Sequence, residues 1–305
     1  ISIYIFFKTV RNFEDHKKSI IFTLIFAFLP INVFATVKIS SITLQLFLLV
    51  SYFYFLLQYN NNKSIKCLIF FSIISGLLIL IRGEFLFFYL ITIFYFFIYL
   101  NKNFKFFLIT IILTFLVTSP YIIRNYQNFN TYVLTKSFGY NLFKGNNPEF
   151  RVEGNPVYIE KSYDKGSLKI ETNNNYEINL DDFYKQEALT FIFKNPFKSI
   201  VFYFQKVFAM TFIDLNSSYP NYYHLLHLIP KIILSIFSLI GSVIVLRKKG
   251  FSQFLGIYYL LNIALFSVFF ILPRYSLILL PIQLLLSIHA YNFLKTKFIN
   301  RISNS

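Results

Sequence analysis

SPYIIRNYQNFNTYVLTKSFGYNLFKGNNP, Ser119–Pro148, divides the chain in two. It opens as the last turn of an apolar run and closes as the start of a polar one. Five apolar runs separated by short basic loops come before it. The one long polar segment comes after it, followed by the last apolar runs. A helix that ends in Pro120, Arg124 and Asn125 and passes into Gly/Asn-rich sequence is a place where a membrane protein can build a site.

Composition sets the class. Of 305 residues 56% are hydrophobic and only 14% charged, against about 25% charged in a soluble domain. The charges are clustered and leave long uncharged runs, the pattern of a polytopic membrane protein. Phe (42) and Tyr (23) are abundant together with Ile, Asn and Lys, as AT-rich coding DNA produces, so aromatic content alone carries no function. The net charge of +16 does not gather on one face but falls between apolar runs, which argues for membrane topology and against a nucleic-acid partner. The single cysteine, Cys67, excludes a disulfide framework and a cysteine metal cluster. Residues 1–7 (ISIYIFF) read as the tail of a helix that begins before Ile1, so a chain lacking its N-terminal part is expected.

Eight runs are candidate spans: 19–37, 41–58, 66–81, 86–100, 106–123, 226–246, 251–272 and 275–294. If all eight cross, every basic loop (Lys8 to Lys18, Lys63 and Lys66, Lys102 and Lys105, Arg247 to Lys249, Lys295 to Arg301) falls on one side, which is then cytoplasmic. The expected organisation is membrane helices over 1–124, an extracytoplasmic segment over 125–225 and C-terminal membrane helices over 226–305. The middle segment carries ten of the chain's 13 acidic residues, from Glu149 to Asp214. Within it DDFYKQEALTFIFKNP reads as an amphipathic helix, capped by Asp181 or Asp182 and ended by Asn195–Pro196. Residues 197–213 read as a helix in the membrane interface, with Lys198 and Lys206 reaching for headgroups; a span is the alternative.

Arg82, Arg124 and Arg274 each end a different span on the outer side, against the positive-inside bias. The planar five-donor guanidinium suits phosphate, so the three together suggest a lipid-phosphate site, with Lys38 as a further cation. Snorkelling to headgroups is the alternative for each. Glu84 is two residues from Arg82 and fits a local ion pair around Gly83 better than catalysis. His224 and His227, spaced i, i+3, lack further ligands nearby, so no metal site is assigned. There is no G-x-S-x-G, P-loop or H-E-x-x-H.

The stretch P-Y-I-I-R-N-Y-x-x-F (Pro120–Phe129), followed by G-Y-N-L-F-x-G-N-N-P (Gly139–Pro148), resembles membrane glycosyltransferases of the family 39 type. That group includes protein O-mannosyltransferases and aminoarabinose transferases. Ile81–Arg82–Gly83–Glu84 is similar to the family's Arg-Pro-Glu turn, with Gly83 in place of Pro. Residues 182–188 with Lys194–Asn195–Pro196 resemble its periplasmic helix. Pro273–Arg274–Tyr275 resembles its Arg-Tyr-Arg motif, with Leu277 where a second arginine is common.

The resemblance implies an all-α membrane bundle of the GT-C type and an inverting transfer from a polyprenyl-phosphate sugar. The acceptor would be a lipid, glycan or protein on the outer face of a cell membrane, the bacterial inner membrane being expected. It implies Arg82, Arg124, Arg274 and Lys38 as donor-phosphate ligands. Glu84, Asn125, Tyr126, Gly139, Tyr140, Asn141, Gly145, Asn146 and Asn147 would shape the site. Arg and Lys, or a divalent cation, would offset charge on the leaving phosphate. The family's catalytic aspartate lies in a first outer loop that has no counterpart here, so no acid of this chain is given that role. A lipid-sugar transporter and a glycan polymerase or ligase are the competing readings; few mid-span polar residues (Gln45, Ser72, Ser75, Asn262) speak against the transporter.

Overall fold

The structure, a computed structural model, describes residues 1–37, 40–155, 170, 173 and 175–303. Every regular element among the described residues is a helix: α1 (Ser2–Val10), α2 (His16–Phe28), α3 (Pro30–Val37), α4 (Ser41–Asn62), α5 (Ile65–Ile81), α6 (Phe85–Tyr99), α7 (Phe104–Phe129), α8 (Phe138–Gly145), α9 (Tyr176–Lys194), α10 (Pro196–Thr211), α11 (Leu225–Leu246), α12 (Phe251–Phe266) and α13 (Tyr275–Ser303). They form two compact units, one of residues 1–119, 225–260 and 277–305, the other of 120–224 and 261–276.

Among the described residues four helices are long and apolar enough to cross a membrane: α4, α7, α11 and α13 over Tyr275–Lys297. A fifth span results if α2 and α3 count as one, bent by 51°. By length and composition this supports four or five of the eight expected spans. The apolar helices α5, α6 and α12 have 17, 15 and 16 residues. At 1.5 Å per residue each covers about 25 Å or less, against a hydrocarbon core of about 30 Å. The run at 251–272 loses its helix at Phe266, and Pro273 lies in the turn that follows.

The run at 19–37 breaks for a local reason. Proline disfavours helical geometry in the residue before it, and Leu29 is accordingly turned out (φ −56°, ψ 126°). Pro30 has no N–H to give to the Phe26 carbonyl, the acceptor four residues back. The Asn32 side chain replaces it, its Nδ2 donating to Phe26 O at 2.8 Å.

The first unit has an aromatic interior. Tyr52 is buried, packs on Phe71 and Phe85, and donates to Thr92 Oγ1 at 2.6 Å, tying α4 to α6. Phe53 and Phe88 meet Tyr258 of α12. Thr114 Oγ1 donates to Ser72 O at 3.0 Å and joins α7 to α5. Helix α13 is central, 72% of its span being buried, whereas α7 is only 22% buried.

In the second unit α8 lies on α9 through Leu142, Phe143, Leu180, Tyr184 and Ala188, all buried, with Phe269 packed against them. Two expectations are corrected here. Helix α9 begins at Tyr176, so Asp181 and Asp182 are interior residues and not its cap. Of the two lysines of α10 only Lys198 is exposed; Lys206 is 1% exposed and enclosed by protein, not extended towards headgroups.

Candidate functional site

The second unit holds most of the residues the sequence singled out. Helix α7 ends in an ordered cap. Asn130 takes a left-handed conformation (φ 52°) and its N–H bonds Tyr126 O at 2.8 Å. Buried Asn125 donates from Nδ2 to Val133 O at 2.8 Å and accepts from Arg124 Nη1 at 3.1 Å. Tyr126 stacks on Tyr132 with ring centroids 4.3 Å apart. The Arg-Asn-Tyr of the quoted stretch therefore folds the following loop back on the helix end. Arg124 itself is exposed, with the Tyr121 ring 5.8 Å away.

Helix α8 starts without help from its own cap residue, Ser137. Asp181 of α9 supplies it, Oδ1 accepting the Tyr140 N–H at 2.9 Å. Asp182 meets Lys136 Nζ at 2.8 Å. The approach is so close that a Cβ on Gly139 would stand 1.8 Å from Asp181 O, so only glycine fits. Asn141 lies near Ser137 Oγ at 3.5 Å.

The far end of α8 is tied to the turn at 266–274. A Cβ on Gly145 would lie 2.4 Å from the Phe269 carbonyl carbon. Asn146 Nδ2 donates to Val268 O at 2.8 Å, and Ile271 N–H to Val152 O at 2.8 Å. Asn147 caps α8 by donating to Phe143 O and Lys144 O, while its Oδ1 accepts the Glu149 N–H. Lys206 Nζ sits at the junction and donates to Gly145 O at 3.0 Å, Asn146 Oδ1 at 3.1 Å and Val268 O at 3.2 Å. The Phe202 ring lies 4.7 Å from the ammonium. Burial pushes this lysine down to about 7.

Gly139, Asn146 and Asn147 are thus spent on holding α8 in place, and Gly145 on letting the turn approach. Cationic surface is left beside them. Lys144 Nζ stands 4.3 Å over the Phe270 ring, and the exposed Arg274 guanidinium lies 6.0 Å from the Tyr275 ring. Burial first, and the Arg274 charge second, hold Lys144 below the ordinary lysine range. Arg82 belongs to the first unit, where Nη1 meets Glu84 Oε1 at 3.2 Å, the local pair expected around Gly83. Lys38 lies outside the described residues.

Sequence reading gave no role in the site to Lys144 or Glu153, and sent Lys206 to the headgroups. Buried Glu153 accepts from Ser217 Oγ, from Ser218 N–H at 3.0 Å and from Ser218 Oγ at 2.7 Å, which binds the 214–223 loop to the end of the site segment. In that loop burial pushes Tyr222 up to about 12. Lys206 did carry a signal, being one cation amid SIVFYFQKVFAM.

Fold and site together define an all-helical protein with helices able to cross a membrane and a second compact unit that contains Pro120–Pro148. No family model, no curated protein and no solved structure matches this chain.

Proposed function

We propose that the chain belongs to a membrane glycosyltransferase with the GT-C bundle of about eight spans. It takes a sugar from a polyprenyl-phosphate donor and delivers it to a lipid, glycan or protein on the outer face of a cell membrane. The observation that carries this reading is the state of the cations in the second unit. Arg124 and Arg274 are exposed, and among the described residues neither meets a carboxylate. Arg124 lies within the stretch that resembles the transferases, and Arg274 in the turn that is tied to the end of that stretch. Guanidinium groups without an acid partner are suited to take charge from a phosphate as it leaves. Asn125 fixes the end of α7 that carries Arg124, and the turn carrying Arg274 is tied down through Val268 and Ile271.

Transfer of radiolabelled sugar from polyprenyl phosphate by the complete protein in membranes is the test. Wild type should transfer, and Arg124→Ala should lose at least about tenfold in rate, the loss of one charge-assisted bond. Full activity in Arg124→Ala, with no transfer lost, would falsify the role given to that arginine.

A lipid-sugar transporter is the second reading, and one feature favours it. The bent α2–α3 pair is an interrupted helix, and the Oδ1 of buried Asn32 and the Oε1 of buried Gln45 have no hydrogen-bond partner among the described residues. Labelled donor that crosses the bilayer without transfer would select it.

A further inference from the structure

Asn-x-Ser/Thr, the acceptor sequence for sugar transfer to asparagine, occurs twice in the chain, as Asn62–Lys63–Ser64 and as Asn216–Ser217–Ser218. Their settings differ. Asn62 is the last residue of α4, a helix of spanning length, and leads into one of the basic loops. Asn216 belongs to the 214–223 loop of the second unit. That loop spends its polar groups on itself. The Asp214 N–H donates to Tyr222 OH at 2.9 Å, and its carbonyl accepts from Tyr223 OH at 3.2 Å. Buried Asp214 also accepts the Asn216 N–H on Oδ1 at 3.0 Å. The Ser217 N–H donates to Tyr223 OH at 2.7 Å, and the hydroxyls of Ser217 and Ser218 both go to Glu153. The Asn216 side chain is left out of this web. The residue is exposed, and among the described residues its amide makes no hydrogen bond. Leu215, Ser218 and Tyr219 beside it are exposed too, so a bulky hydrophilic group has room there and would screen two apolar side chains.

We propose that Asn216 is itself a glycosylation site, taking a glycan from a lipid-pyrophosphate carrier through a separate transferase of the same membrane. A bond forms between Asn216 Nδ2 and the anomeric carbon of the carried sugar. The bond from that carbon to the pyrophosphate oxygen breaks, the pyrophosphate leaves with the electron pair, and one amide proton is given up to a base of the separate transferase. This chain is the acceptor, so the step needs no activity of its own. It rests only on the outward-facing reading of the second unit, the face to which carriers of this class present their glycan. Ser218 supplies the hydroxyl that the acceptor sequence requires. In the closed loop that hydroxyl is committed to Glu153 at 2.7 Å, so transfer precedes closure. Tyr222 and Tyr223, which close the loop, are made after Asn216 and leave the acceptor open while the chain grows.

Peptide mass spectrometry of the complete protein, purified from its own membranes, tests this. The peptide carrying Asn216 should be heavier by a saccharide mass, and the peptide carrying Asn62 should not. Asn216→Gln and Ser218→Ala should each abolish the added mass, whereas Ser218→Thr should keep it. Ser217→Ala separates sequence from loop structure: it takes a hydroxyl from Glu153 as Ser218→Ala does, yet leaves the acceptor sequence whole, and should keep the mass. Mass retained in Ser218→Ala, or lost in Ser217→Ala, overturns the assignment to the acceptor sequence. Unmodified Asn216 in wild-type protein overturns the proposal without any variant. If Tyr132→Cys in a Cys67→Ser background is then still labelled by impermeant maleimide from outside, the outward-facing reading stands and the proposal alone has failed. Sugar on Asn62 in place of Asn216 overturns both.

Discussion

A lysine closed in by protein has to settle its charge with its neighbours, and Lys206 does so with three uncharged oxygens. That arrangement satisfies every N–H but offsets no charge, which is why its proton is held weakly. The direction of the pH effect follows from counting protons. Between about 7, the folded value, and 10.5, the ordinary one, the unfolded chain keeps a proton that the folded chain has released. Unfolding therefore becomes harder as pH rises through this window, and is insensitive to this group below it. Hydrogen exchange of the 138–147 amides should slow from pH 7 towards 10, after correction for intrinsic rates. In Lys206→Met that trend should vanish, and protection should fall at all pH values because Gly145 O and Asn146 Oδ1 lose their donor while Val268 O keeps Asn146 Nδ2, at about 1–3 kcal/mol for each oxygen left unsatisfied. Spacing alone could not show this. Lys198 and Lys206 stand about 80° apart around α10, so periodicity allows one to face out and the other in, but does not say which.

Among the elements, the break between α2 and α3 is an exchange of one donor for another. Pro30 removes the N–H owed to the Phe26 carbonyl, and Asn32 returns one. Asn32→Ala should then cost about 1–3 kcal/mol, the price of an orphaned buried carbonyl. Adding Pro30→Ala should recover much of that by restoring the backbone donor. A double-mutant cycle on thermal unfolding checks it, and strictly additive effects would refute the exchange. The proline was readable in the sequence, but the role of Asn32 was not, because nothing in a one-dimensional pattern shows where a side chain bends back.

Helix α8 tells the same story from the other end. Asp181→Ala should loosen it by about 1 kcal/mol, the worth of a cap, and Asp181→Asn by less, since an acceptor remains. Faster exchange of the Tyr140 amide would report both. Gly139→Ala should be worse than either, at or above the ~3 kcal/mol end of overpacking, because the clash is with backbone and no rotamer relieves it. The sequence offered Asp181 as the cap of its own helix. It caps a different one, and α9 begins five residues earlier, at Tyr176.

At the scale of the molecule the sequence told more. Composition and charge placement led to a membrane protein with helices of spanning length, and the structure has such helices. It told less about how many cross, since three apolar helices are too short to decide by length. Sidedness is open to experiment. In a Cys67→Ser background, Asn61→Cys and Lys249→Cys should react with an impermeant maleimide from one side of the membrane only, and Tyr132→Cys and Ser217→Cys from the other. Labelling of all four from the same side would defeat the outward-facing assignment of the second unit. Of the site, the sequence showed the residues but not their use. The asparagines and glycines of Gly139–Asn147 read as shaping the site, and in the structure they fasten α8, whereas Lys144, passed over as a variable position between Phe143 and Gly145, faces an aromatic ring and meets no acid among the described residues.

The fastening of Asn146 to Val268 also imposes an order of birth. The two residues are 122 positions apart, and α9 to α12 are all made between them. On a ribosome the segment 138–147 emerges early and waits. Its final shape is reached only once the turn after α12 has been made, so α8 and its ties are among the last parts of the molecule to be finished. A nascent chain halted before residue 268 should expose that segment to protease, and one released beyond it should not.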